Sequence, residues 1–133
     1  MTRPAGLRGP VERRVRVLTA RQRLEQQARI LLCHAEGRPT SDRPHQYVVA
    51  RLMLLTAGVP PERWAAAYGL ARRAGVVYRE TSAVLHSNRA FADVPEALVR
   101  EWEDVVEAVE RAVASRVAQT RPQNAAFSPS VRR

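Results

Sequence analysis

Between Val17 and Ala35 the apolar residues Val17, Ala20, Leu24, Ala28, Leu31 and Ala35 recur at spacings of three and four. That period lines up one face of an α-helix and predicts a first helix from about Val11 with a single buried stripe. Gly37 and Pro39 end it. A second apolar run, residues 47–57, holds Val48, Val49, Leu52, Met53, Leu54 and Leu55 with little polar face, which predicts the most buried element. Ser41 or Asp42 is placed to cap it, with Pro44 in its first turn.

Gly58 stops the second helix, and Pro60-Pro61 opens a third that passes Glu62, Arg63, Trp64 and Tyr68 on the way to about Ala74. Gly75 either ends that helix or sits inside one continuous helix reaching Ser87, because a lone glycine costs only about 1 kcal/mol relative to alanine. After a short link, Asp93 as N-cap, Pro95 and Glu96 form a capping-box-like start to a last helix. Leu98, Trp102, Val105, Val109, Ala112 and Val113 make its stripe, which fades near Arg116. Both tryptophans are expected in the core.

These elements predict an all-α, up-and-down bundle of four to five helices over residues 11–118. Residues 1–10, with Pro4, Gly6, Gly9 and Pro10, read as a disordered basic arm, and residues 119–133 as a disordered tail. No internal repeat and no convincing strand alternation occurs.

Composition narrows the class. A single cysteine, Cys33, excludes an internal disulfide and frames no metal site with His34 alone. No run of about 18 apolar residues suits a membrane span, and the first residues lack the apolar core of a signal peptide. The expectation is a soluble, cytoplasmic protein without cofactor or metal.

All 22 basic residues are arginine, which a GC-rich coding sequence explains, but the net charge of +9 points to a polyanionic partner. The charge is unevenly placed. Residues 1–24 carry seven arginines against Glu12, whereas residues 91–115 carry seven acids against Arg100 and Arg111. Either a basic first helix packs beside an acidic last one, or the basic residues form a nucleic-acid footprint.

The candidate chemistry lies in Tyr78-Arg79-Glu80-Thr81-Ser82-Ala83-Val84-Leu85-His86-Ser87. Arg79 and His86, seven positions apart, share a face of one helix. Arg29 with His34 and Arg38 with His45 match similar spacings, but the first pair diverges around the helix and the second spans two prolines. The Arg79–His86 run resembles the Arg-x4–6-His motif of the HEPN family, helical-bundle proteins of toxin–antitoxin and phage-defence systems. Glu80 stands where that family more often has Asn, Asp or His, and Ser87 where glycine is common.

The resemblance implies a metal-independent ribonuclease, or an inactive relative, with its cleft between two protomers. It also implies a homodimer and a cognate antitoxin or operon partner. In that scheme His86 takes a proton from a ribose 2′-hydroxyl, work suited to an imidazole at neutral pH, while Arg79 holds the phosphate.

The run from Leu70 to Leu85 is also similar to the helix-turn-helix of lactose-repressor-type regulators, with Ala71 in the first helix, Gly75 at the turn and Val84 buried. That resemblance implies DNA binding by Tyr78, Arg79 and Ser82. Arg72, Arg73 and Arg89 join either nucleic-acid surface, whether the partner is RNA or DNA. The same residues also fit no chemistry at all, with His86 bonding the last helical carbonyls and Arg79, Arg72 and Arg73 as solvated positions. A non-catalytic interaction protein of a mobile element is the third class left open.

Overall fold

The computed structural model describes residues 5–37, 46–87 and 94–126, with side chains over 9–37, 46–87 and 94–119. Four helices follow one another: α1 Ala5–Glu36, α2 Val48–Leu52, α3 Pro61–His86 and α4 Glu96–Ala126, with a 3₁₀ turn, Met53–Thr56, continuing α2. Among the described residues there is no strand, and no helix is long and apolar enough to cross a membrane.

The stripe of α1 is the one its spacing predicts. Val17, Ala20, Leu24, Ala28 and Leu31 are buried, and only Ala35 at the end is exposed. Gly37 ends the helix at φ 70°, in the left-handed region where a side chain is strained. Its N–H closes a last bond to the Cys33 carbonyl at 2.9 Å.

Three long helices pack on one another, with α2 laid across α1 and α3. Arg16 meets Glu96 and Glu103 while Arg23 meets Glu110, so α1 and α4 run in the same direction. The end of α1, the start of α3 and the end of α4 share one cavity, so α3 runs opposite to both. Small residues make this close approach possible. Ala71, Ala74 and Gly75 are buried on α3, and a Cβ on Gly75 would stand 3.2 Å from Val49 Cγ1.

Several expectations are corrected. Residues 5–10 are the first turns of α1 rather than a disordered arm. Pro10 removes only one intrahelical bond from a helix of 32 residues, and residues 1–4 lie outside the described part. Likewise α4 continues through 119–126, which was expected as tail; residues 127–133 are not described.

The second apolar run is a five-residue helix and a 3₁₀ turn, with Val49, Met53 and Leu54 only half-buried. A short crossing element has too little length to bury every side. On α4 the innermost positions are Val99, Trp102, Val106, Val109 and Val113, and Leu98, Val105 and Ala112 flank them. The stripe is turned by about one position because the arginines of α1 draw the acidic flank, Glu96, Glu103 and Glu110, to their side. Ser41, Asp42, Pro44 and Asp93, the expected capping residues, lie outside the described residues.

Candidate nucleic-acid interface

The charge asymmetry resolves first into packing. Arg16 grips Glu103 through two parallel bonds, Nε to Oε2 at 2.9 Å and Nη2 to Oε1 at 2.6 Å, and donates Nη1 to both oxygens of Glu96 at 2.8 and 2.9 Å. Arg23 holds Glu110 in the same two-pronged way at 2.9 and 2.5 Å. These hydrogen bonds keep the Glu103 and Glu110 carboxyls below the ordinary carboxylate range. The basic first helix and the acidic last helix are therefore partners, and their charges meet along a seam.

Helix α3 is different. It carries Arg63, Arg72, Arg73 and Arg79, all exposed. Among the described residues none of the four forms an ion pair. Arg72 instead donates to the Tyr68 hydroxyl at 3.2 Å and lies 5.8 Å over its ring. The only acids on the helix are Glu62 and Glu80.

The helix is unbroken through Gly75. The stretch of residues 70–85 read as helix-turn-helix is thus a single helix without its turn, and Gly75 lies inside it, so close to α2 that a Cβ would stand 3.2 Å from Val49 Cγ1. Continuity also sets the faces. At about 100° per residue, Trp64, Tyr68, Arg72, Arg79 and His86 fall within an arc of about 80°. Arg79 and His86 are both exposed, two turns and about 10 Å apart along the axis. His86 is the last residue of α3.

Other sequence-predicted contacts do not join this face. Tyr78 is half-buried and donates its hydroxyl to Glu25 Oε2 at 2.9 Å, with the Arg21 guanidinium 5.5 Å from its ring. Burial, and then the Glu25 carboxylate, push its phenol up. Tyr78 ties α3 to α1 and is not available to a base. Ser82 Oγ is buried and has no hydrogen-bond partner, so it too is not presented to solvent. Arg89 lies outside the described residues. Arg72, Arg73, Arg79 and His86 remain.

The structure adds two residues. Trp64, expected in the core, is 46% exposed and stacks on Tyr68 with ring centroids 4.9 Å apart and planes 13° from parallel. At this end of α3 it is Arg63, Ala66, Ala67 and Leu70 that line the cavity shared with α1 and α4, and that turn of phase sends the indole outward. The run Ala65-Ala66-Ala67 beside Leu70 carries the signal, since it offers a second apolar stripe that competes with the one through Trp64.

That cavity has a volume of about 820 Å³. Arg116 reaches across its rim to the carbonyls of Leu54 and Leu55, the latter at 2.8 Å. Burial pulls the Arg116 guanidinium down from its ordinary value. Its hydrogen bonds clamp the 3₁₀ turn onto α4, a structural task.

Comparison of the chain with protein-family models, with characterised proteins and with solved structures finds no match. The functional reading rests on the side chains themselves.

Proposed function

We propose that the protein binds nucleic acid through the outer face of α3. One observation carries this: three arginines, Arg72, Arg73 and Arg79, project from the solvent side of one helix with no carboxylate partner among the described residues, whereas the seam arginines of α1 are matched by acids of α4. Cations held without counter-charge on one surface take up phosphates and release condensed ions.

The test is the salt dependence of binding, read by fluorescence anisotropy with labelled RNA and labelled duplex DNA. Three phosphate contacts give a slope of log K against log salt of about −2.1 on single strands or about −2.7 on duplex. Arg79→Ala is expected to flatten it by about 0.7 or 0.9 respectively. A slope that does not move removes Arg79 from the interface.

A second reading, RNA cleavage of the HEPN type, is supported by the exposed Arg79 and His86 on a common side of an unbroken helix. The guanidinium grips the two non-bridging oxygens of a phosphodiester. The imidazole takes the proton of the neighbouring 2′-hydroxyl, whose oxygen forms a new bond to phosphorus as the bond to the 5′-oxygen breaks. The products are a 2′,3′-cyclic phosphate and a 5′-hydroxyl, the leaving oxygen recovering a proton from the imidazolium or water. A homodimer with its cleft between two copies of this face, and an antitoxin or operon partner that covers it, belong to the same proposal. His86→Ala is expected to abolish cleavage of single-stranded RNA with helicity unchanged; cleavage that survives the substitution removes the histidine from the chemistry.

A further inference from the structure

The Trp64 side chain at the start of α3 stands outside the core, stacked on a half-buried Tyr68. Tyr68 covers one face of the Trp64 indole at 4.9 Å, so the 46% of that residue left to solvent comes from its other face and its edge. An indole packed on one face only leaves a flat aromatic surface open to a planar partner. The fold shows what kind of group fits. Trp64, Tyr68 and Arg72 form a continuous column, indole on phenol on guanidinium, each one helical turn after the last. Arg79 lies on the same side and Arg73 at its edge, neither with an acid partner among the described residues.

A planar ring with an open face beside spaced cations is complementary to a stacked base with its phosphates. Duplex ends aside, only unpaired bases offer such a face, since bases inside a helix are already stacked on both sides.

We infer that Trp64 and Tyr68 are a stacking platform that selects single-stranded RNA, and that the arginines along α3 track its backbone. This rests on the nucleic-acid reading above and adds the class of ligand. RNA rather than DNA is assigned on the second reading above, in which His86, on the same stripe and about 33 Å along the axis from Trp64, meets a 2′-hydroxyl of a strand lying on the helix. The platform sets which strand is held, and its length matches a short oligonucleotide of several residues.

The experiment uses the full chain with a labelled twelve-nucleotide unstructured RNA, the duplex of the same sequence, and the matching single-stranded DNA. Trp102 is 3% exposed in the core, so quenching of tryptophan fluorescence on adding RNA reports Trp64. Trp64→Ala is expected to lose about tenfold in affinity for the single strand and to abolish the quenching, while duplex affinity and the salt slope stay as in the parent. Trp64→Phe, which keeps a ring, recovers most of the loss.

An unchanged single-strand affinity in Trp64→Ala, with Arg73→Ala/Arg79→Ala still weakening it, overturns the platform and leaves the arginine face standing. Equal affinity for the DNA strand overturns the assignment to RNA. Failure of the parent protein to bind any of the three overturns both readings.

Discussion

Replacing Arg16 by methionine and Glu103 by glutamine, singly and together, isolates the strap that joins α1 to α4. The two parallel bonds of this pair, 2.9 and 2.6 Å, are made by side chains 33% and 26% exposed. Exposed ion pairs contribute about 0.2–1 kcal/mol. Two-pronged geometry at partial burial places this one at the top of that range, a coupling of about 1 kcal/mol. For a domain of this size that corresponds to a change in Tm of about 4 °C.

Urea is the suitable denaturant, since guanidinium would screen the pair it is meant to measure. The pH dependence has a definite sign. Arg16 holds the Glu103 carboxyl below its unfolded value, so the stabilisation is complete above the ordinary carboxylate range of about 4.3. It disappears as pH falls through the lowered folded-state value. The coupling is expected near 1 kcal/mol at pH 7 and near zero at about pH 2. A cycle that closes to within about 0.3 kcal/mol at pH 7, or a coupling undiminished in acid, refutes the seam as a charge-matched interface and returns the arginines of α1 to the list of candidate ligands for phosphate.

Two further outcomes concern stability. Thr81 is fully buried and its hydroxyl donates to the Val77 and Tyr78 carbonyls at 2.8 and 3.0 Å; both belong to the helix's own ladder, so Thr81→Val orphans no partner and is expected to change stability by less than about 1 kcal/mol in urea titration. A loss of 2 kcal/mol or more shows that the hydroxyl serves something besides its own helix. Alanine at Arg73, Arg79 or His86, all exposed on α3, is expected to leave stability within about 0.5 kcal/mol of the parent, and a larger fall assigns the residue to the fold.

The all-helical class and the buried stripe of α1 are legible in the sequence because a regular three-and-four spacing has one interpretation once prolines and glycines mark the ends. The acidic and basic helices are legible as a pair, though not as the specific contacts of Arg16 and Arg23, since composition does not fix register. Gly75 illustrates what spacing leaves open. The residue is compatible with a turn or a helix, and the fold places it inside a helix, close against Val49 of a different element.

Trp64 and Tyr78 exchange the roles expected of them for the same reason. Residue type places the tryptophan inside and the tyrosine outside, but the azimuth of each relative to α1 and α4 decides, and Glu25 and Arg21 draw the tyrosine inward. The shared face of Arg79 and His86 follows from the period of the helix alone, provided the helix is continuous, which the fold supplies.

The most direct measurement is an amide and indole chemical-shift map of the full chain as a short unpaired RNA is added. The expected result is a set of perturbations along residues 63–86, on the side of Arg72, Arg79 and His86, with the Trp64 indole shifting and the buried Trp102 indole still. Perturbations centred on the α1–α4 seam, with α3 unmoved, would contradict the assignment of the outer face of α3 as the surface that meets nucleic acid.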